Sequence, residues 1–281
     1  MIGSTRNGFL MIYGPKKFET PIWIVGAPRS GTTLLNLHLA QGQSHEYFPE
    51  CNVVSELVAG YAKTSNLDAS RFNAYFGSKD TAIGHYRSLI EQTVDLLLRN
   101  EEPRKYVTLK DPYLTLHTQY VKQLFPTAHI FMMYRSPGAV VASARKVSGR
   151  DDAEGYLRFY KAMQREAAAL RNHPYFHVVY YDDLLAAPDK LLSAISRILG
   201  YDCRDVPKYP EELKESPFST EKTFRPVADV GRDENRSEIA VLPPEHEQAY
   251  APHVHFFTGN QRYFSRKLLN AARDLAVQKQ A

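Results

Sequence analysis

The chain has 281 residues, 43% hydrophobic and 23% charged, ordinary for a globular protein and long enough to bury a sizeable core. With 35 Lys and Arg against 31 Asp and Glu, the formal net charge is +4, which permits a local anion site but does not suggest general nucleic-acid binding. The 2 cysteines, Cys51 and Cys203, form no C-x-x-C pair and are expected to be reduced; the 10 histidines, His253 and His255 among them, show no tight ligand spacing, so no metal site is expected.

The N-terminal residues 1–13 carry too short an apolar run for a signal peptide. No stretch of about 18 apolar residues exists for a transmembrane helix. The expectation is a cytoplasmic protein with no membrane span.

In chain order, Ile22–Val25 reads as a buried strand that enters a glycine-bearing loop, and a helix begins at Thr32–Thr33 and carries Leu34, Leu35, Leu37 and Leu39. An irregular stretch (41–52) precedes a largely helical region over 53–100, with breaks expected near Gly77 and Gly84. Tyr106–Leu109 is a short strand ending at Lys110-Asp-Pro. Leu114–Phe125 is a helix stopped by Pro126. His129–Tyr134 is a second strong strand, and Pro137 suits the first turn of the helix after it. Tyr156–Arg171 is a long helix and His177–Tyr181 another strand. The helix 188–199 starts at Pro188 and stops at Gly200. Residues 203–245, rich in Pro, Glu, Lys and Arg, read as an irregular lid before a helical C-terminus. Strands alternating with helices predict a mainly parallel α/β sheet flanked by helices on both faces, in a single domain over 1–281 with its core at about 20–200.

A strand–loop–helix such as 22–33 turns backbone N–H groups toward one point with a helix N-terminus behind them, a site for an anion and most often phosphate. The spacing Gly26-x-x-x-x-Gly31 matches a Walker A loop, yet Thr32 stands where a nucleoside-triphosphate site has lysine, and Arg29 is the only cation in the loop. Ligands of an open parallel sheet collect beyond the carboxyl ends of its strands. Polar clusters fall at each such end: Arg29-Ser30, Lys110-Asp111, Arg135-Ser136 and Tyr181-Asp182. Singly, each is explained as a solvated loop; together with the phosphate loop they mark a site.

Pro28-Arg-Ser-Gly-Thr-Thr-Leu resembles the 5′-phosphosulfate loop of sulfotransferases that use 3′-phosphoadenosine 5′-phosphosulfate (PAPS). Arg135-Ser-Pro, with Ser143 eight residues after the Arg, resembles their 3′-phosphate motif. The resemblance, local to the protein-tyrosine and carbohydrate branches, covers about residues 20–200 and extends to Lys110-Asp-Pro-Tyr and Tyr181-Asp-Asp-Leu-Leu. It implies a P-loop-like α/β fold and two anion pockets: Arg29, Ser30, Gly31, Thr32 and Thr33 on the 5′ side, with Arg29 also a catalytic group, and Arg135 and Ser143 on the 3′ side, with Tyr181 beside them. PAP is the implied product, and no metal is required. Arg225 and Arg232 lie in a segment resembling the one that folds over the nucleotide, although Arg232 stands where many members have Trp after the glycine.

Sulfuryl transfer needs a base for the acceptor hydroxyl. Glu46, Glu50 and Glu56 follow the first helix, and the spacing of the protein-tyrosine branch, counted from Thr32, lands near Glu50. His45 is the runner-up and His117 a weaker candidate. Lys110 matches a lysine that stabilises the transition state in that branch; a plain ion pair with a carboxylate is the other explanation for it.

Two other classes use the same loop. A small-molecule or nucleotide kinase would need lysine at Thr32, and a non-catalytic nucleotide-binding protein would not need Glu50 or Lys110. Neither explains Arg135 and Ser143 as well. The acceptor is expected to be a saccharide or small-molecule alcohol before a peptide tyrosine, in a pocket lined by 53–100 and the 203–245 arm. The aromatic residues there (Tyr61, Phe72, Tyr75, Phe76, Tyr86) suit sugars or flat phenols, although such residues are more often plain core.

Overall fold

The computed structural model describes residues 16–41, 50–98, 102–149, 152–204, 242 and 244–278. Strands β1 (Phe18–Gly26), β2 (Arg104–Lys110), β3 (Ile130–Tyr134) and β4 (Phe176–Tyr180) form one parallel sheet in the order β2-β1-β3-β4. The helices are α1 (Thr32–Gln41), α2 (Asn52–Ser65), α3 (Ala69–Phe76), α4 (Lys79–Leu97), α5 (Thr118–Leu124), α6 (Pro137–Ser148), α7 (Ala153–Ala169), α8 (Tyr181–Ala186), α9 (Pro188–Leu199) and α10 (Pro244–Gln278).

The strands are apolar almost throughout because both faces of the sheet are covered. Alternate residues point to opposite sides. Trp23, Val25, Val107, Leu109, Ile130, Met132, Phe176 and Val178 share one core with Val58 of α2, Val94 of α4, Val121 of α5 and Met163 of α7. Ile22, Ile24, Phe131, Met133 and Val179 join the other, with Leu35 and Leu39 of α1 and Leu192 and Ile195 of α9. The parallel sheet with helices on both faces is thus as expected.

Four local expectations need correction. Gly84 lies inside α4 and breaks nothing. A helical glycine costs only about 1 kcal/mol relative to alanine, and the burial of Ala82, Ile90 and Val94 outweighs it. The break comes earlier: Gly77 ends α3 at φ 69, and Ser78 caps α4 by accepting from Thr81 N at 3.1 Å. The helix expected over 114–125 is a 3-10 segment, Pro112–His117, joined to α5. Asp111 caps that segment, accepting from Tyr113 N at 2.8 Å. Tyr181 opens α8 instead of ending a strand. Most of the 203–245 arm lies outside the described residues; of its last residues, Pro244 and Glu245 already belong to α10.

The long α10 closes the molecule over β4. Its Phe257 ring stacks on Tyr134 at 4.4 Å, and its Phe257 carbonyl accepts from the Tyr180 hydroxyl at 2.8 Å. Asp183 is structural: it accepts from Gln261 at 3.1 Å and Ser265 at 3.0 Å, both on α10. Cys51 and Cys203 are both free and buried.

At the amino ends of β3 and β4, His129 Nδ1 and His177 Nε2 lie 3.2 Å apart. Burial, aided by Lys122 and Lys105, pushes His129 down to about 4, and burial with His129 and Lys267 holds His177 well below the usual range. Both imidazoles are therefore neutral in the fold, whereas the unfolded chain takes up a proton at each near pH 6.5. Their stabilisation is complete above that pH and is lost as pH falls toward 4, at about 1.4 kcal/mol per pH unit for each group. Thermal unfolding followed at pH 7 and pH 5 is expected to show this loss, and His177→Phe is expected to flatten it. An equal slope in the variant would exclude His177 as its source.

Candidate active site

The strands terminate side by side: Ile24 pairs with Lys110, Gly26 with Met133, and Tyr134 with Tyr180. The chain moves outward from β1 to β2 in one direction and from β3 to β4 in the other, so the crevice between β1 and β3 is the switch point where ligands of such sheets bind. Arg29 and Arg135 leave the two strands that flank it.

The loop after β1 is tightly specified. Gly26 has φ 146, and a Cβ there would lie 2.7 Å from the Met133 carbonyl oxygen of β3. Gly31 has φ 99, and its Cβ would lie 2.4 Å from the Tyr181 ring. Both positions therefore need glycine for backbone and for room. Among the described residues Arg29 is the one non-glycine with positive φ, at 69. Such a conformation costs on the order of 1–3 kcal/mol and persists only where the surroundings impose it.

Those surroundings are visible. Thr115 Oγ1 accepts from Gly26 N at 2.7 Å and donates to Gly26 O at 2.9 Å, fixing the end of β1. Arg135 Nη1 donates to Arg29 O at 3.3 Å, and Arg29 Nε donates to Ser143 Oγ of α6 at 3.4 Å. The Arg135 guanidinium lies 4.3 Å over the Tyr181 ring, and the Tyr160 hydroxyl donates to Arg135 O at 2.6 Å. Burial raises the Tyr181 hydroxyl, with Arg135 opposing. Ser30 Oγ is buried with no hydrogen-bond partner, beside the start of α1 at Thr32. Residues 29–33, Arg135, Ser143 and Tyr181 are thus brought together, and among the described residues no carboxylate pairs with Arg135.

Lys110 ends β2, 2% exposed, with Nζ 3.1 Å from Glu50 Oε1, whose side chain is 49% exposed. The two segments are fastened by neighbours: Cys51 N donates to Lys110 O at 3.0 Å, and Ser55 Oγ donates to Asp111 Oδ2 at 2.6 Å. Burial raises the Asp111 carboxyl, with the hydrogen bonds from Ser55 Oγ and Tyr113 N opposing. Lys110 therefore pairs with Glu50 and not with Asp111. This arrangement sets a half-exposed carboxylate and a buried ammonium at the carboxyl end of β2, next to the end of β1, suited to accepting a proton and to stabilising negative charge.

The other candidates stand apart. Glu56 is exposed on α2 and its charge favours protonation of His117, which burial more than offsets. His117 packs on Tyr120 at 6.3 Å. Glu46, His45, Arg225 and Arg232 lie outside the described residues. The aromatics of 53–100 pack mainly on one another: Tyr61 is fully buried against Tyr86 at 5.5 Å, and Phe76 contacts Phe72 at 5.7 Å and Tyr86 at 6.2 Å. Tyr113, absent from the expected set, is 54% exposed just beyond Lys110 and Asp111. Thr115, Ser55 and Tyr160 were also missed, because each acts through a partner distant in sequence. Among the described residues no group of three or more His, Cys, Asp or Glu side chains gathers as a metal site would, and no helix is long and apolar enough to cross a membrane.

Comparison with known proteins bears on the same region. The model of the sulfotransferase family matches residues 21–205. Protein-tyrosine sulfotransferase 2 of Gallus gallus is 25% identical over 228 residues, 73% of this chain and 60% of that protein. Protein-tyrosine sulfotransferase 1 of Danio rerio is 24% identical over 264 residues, 83% of this chain and 73% of that protein. The chain therefore spans only 60% of the length of the chicken relative. Among solved structures, the sulfotransferase domain of the Synechococcus PCC 7002 olefin synthase superposes with a TM-score of 0.57 at 20% identity, over 87% of this chain and 97% of that domain. That likeness establishes the shared fold.

Proposed function

The chain belongs to the sulfotransferase family, and from that premise we propose that it transfers a sulfuryl group from PAPS to a hydroxyl of a saccharide or small-molecule alcohol and releases PAP. The observation that carries the reading is the junction of Arg29, Ser143 and Arg135, which joins the loop after β1 to the helix after β3. A donor with phosphate on both its 3′ and 5′ positions needs two neighbouring anion pockets, and a nucleoside triphosphate does not. The unpartnered Ser30 hydroxyl and an Arg135 that no described carboxylate neutralises fit such a ligand.

The donor supplies the sulfuryl group, bound through an oxygen to the 5′-phosphate. The loop N–H groups with Arg29, Thr32 and Thr33 hold the 5′ end, while Arg135 and Ser143 clamp the 3′-phosphate through charge-assisted bonds. Glu50 takes the acceptor proton as the new O–S bond forms, and Lys110 offsets charge on the departing oxygen. In-line positioning carries most of the acceleration in transfers of this kind. Tyr113 presents an aromatic face to the acceptor; its ring is braced by Phe159 at 5.8 Å and by Arg158 at 5.5 Å. The names of the chicken and zebrafish relatives favour a second reading of the acceptor, a peptidyl tyrosine.

Calorimetric titration with PAP in EDTA, beside ATP with Mg²⁺, tests the donor. Metal-independent binding of PAP with weak or no binding of ATP is the expected result, and preference for ATP with Mg²⁺ would overturn it. Radiolabelled sulfuryl transfer to a panel of sugars, phenols and tyrosyl peptides then separates the two acceptors.

A further inference from the structure

A cavity of about 930 Å³ opens at the end of the sheet opposite Arg135, lined by His129 and His177 at the amino ends of β3 and β4, by Arg171 after α7, and by Arg262, Arg266 and Lys267 of α10. A strand of five residues at about 3.3 Å per residue sets it roughly 16 Å from the crevice between β1 and β3. Its size suits a small molecule.

The cationic groups here are held in different ways. Lys267 Nζ donates to the carbonyls of Arg171 at 2.8 Å, His173 at 2.6 Å and Phe176 at 2.8 Å. Its donors are spent, and it supplies a fixed charge beneath the cavity; burial lowers it only to about 8, so it stays protonated at neutral pH. The Arg171 guanidinium carbon lies over the Tyr263 ring, 4.0 Å from its centroid, a contact with the ring face that uses none of its N–H donors on a carboxylate. Tyr263 is itself anchored, its hydroxyl donating to Asn172 Oδ1 at 2.8 Å. Arg262 and Arg266 are exposed, stand one turn apart on the same face of α10, and pair with no carboxylate among the described residues. Asp274 is the lone acidic lining residue, and it sits 4.0 Å from Arg273. His177 adds a second kind of signal: it is 2% exposed, and its Nδ1 has no hydrogen-bond partner.

We propose that this cavity is a second ligand site, separate from the crevice between β1 and β3, for a small organic ester of a tetrahedral oxyanion. Arg262, Arg266 and Arg171 form forks matched to phosphate or sulfate oxygens, and the rest of the cavity, with Tyr175 and Ile198 in its wall, takes the organic body.

Titration of the full chain with glucose 6-phosphate, glucose 6-sulfate, inorganic phosphate and inorganic sulfate tests this, on wild type, R262A/R266A and R135A. At least one ester is expected to bind wild type more tightly than its inorganic ion, to bind R135A equally well, and to lose tenfold or more in R262A/R266A. The better of the two esters identifies the oxyanion. No ester binding to wild type, ester binding no tighter than the inorganic ion, binding retained in the double variant, or loss in R135A would each overturn the proposal. Both arginines are exposed, so the double variant is expected to fold; R266E alone serves if it does not, with the same tenfold loss expected.

Discussion

Lys110→Met is expected to lower kcat for sulfuryl transfer by about 10²–10³-fold, the usual loss when one preorganised donor to a charged transition state is removed. Glu50→Gln, which keeps shape and removes the base, is expected to lower it by about 10²–10⁴-fold. The pair is joined by one contact of 3.1 Å between a buried ammonium and a half-exposed carboxylate. Gln at 50 keeps an oxygen to accept from the buried ammonium, and Met at 110 removes that charge while leaving a carboxylate already half in water, so the consequence should fall mainly on the reaction and less on the fold. Both variants should bind PAP within about threefold of wild type, because neither group is assigned to the ground-state anion pockets. The double variant should be little worse than the weaker single one, since a base and a stabiliser that act on one transition state are not additive. Steady-state rates with saturating donor, beside PAP titrations, give the answer. Activity within tenfold of wild type in either single variant would remove that residue from the chemistry.

The sheet was legible because its strands are short apolar runs that end in polar clusters, as at Ile22–Gly26 and Ile130–Arg135; tertiary context had only to put them side by side. The loop was legible for a stricter reason. Gly26 and Gly31 meet a carbonyl and an aromatic ring where a Cβ would stand, so the sequence has no latitude there. What could not be read was the support around it. Thr115 grips both polar groups of Gly26 from 89 residues away, and Ser55 reaches Asp111 across 56 residues. Neither carries a local signature, because a serine or threonine on a helix or turn most often bonds within its own turn. Gly84 misled in the opposite sense: a punctuating residue by type, it is overridden by the apolar face of α4. Of the two readings the aromatic residues of 53–100 allowed, acceptor wall or plain core, most of them follow the second and fill the space between α2, α3 and α4. Tyr113 was passed over because only the fold exposes it beside Lys110.

Arg135→Ala is expected to weaken PAP by about 30- to 1000-fold, the equivalent of about 2–4 kcal/mol for a charge-assisted contact to phosphate. Three observations favour a loss in binding over a collapse of the loop. The Tyr160 hydroxyl holds the backbone carbonyl of residue 135, so that anchor survives the substitution. The Thr115 clamp on Gly26 does not involve Arg135. The contact given up within the protein is one hydrogen bond of 3.3 Å to Arg29 O and a cation over Tyr181, the latter worth about 0.5–2 kcal/mol. Without ligand the variant should therefore melt only slightly below wild type, whereas saturating PAP should raise the midpoint of wild type and leave the variant almost unmoved. Arg135→Lys separates charge from geometry: an ammonium keeps the attraction but not the planar fork, and an intermediate affinity is expected. Raising salt should erode wild-type affinity through screening and erode that of Arg135→Ala less. If titration shows PAP bound equally well by all three proteins, the 3′ pocket is elsewhere and the junction of Arg29, Ser143 and Arg135 is a structural clasp alone.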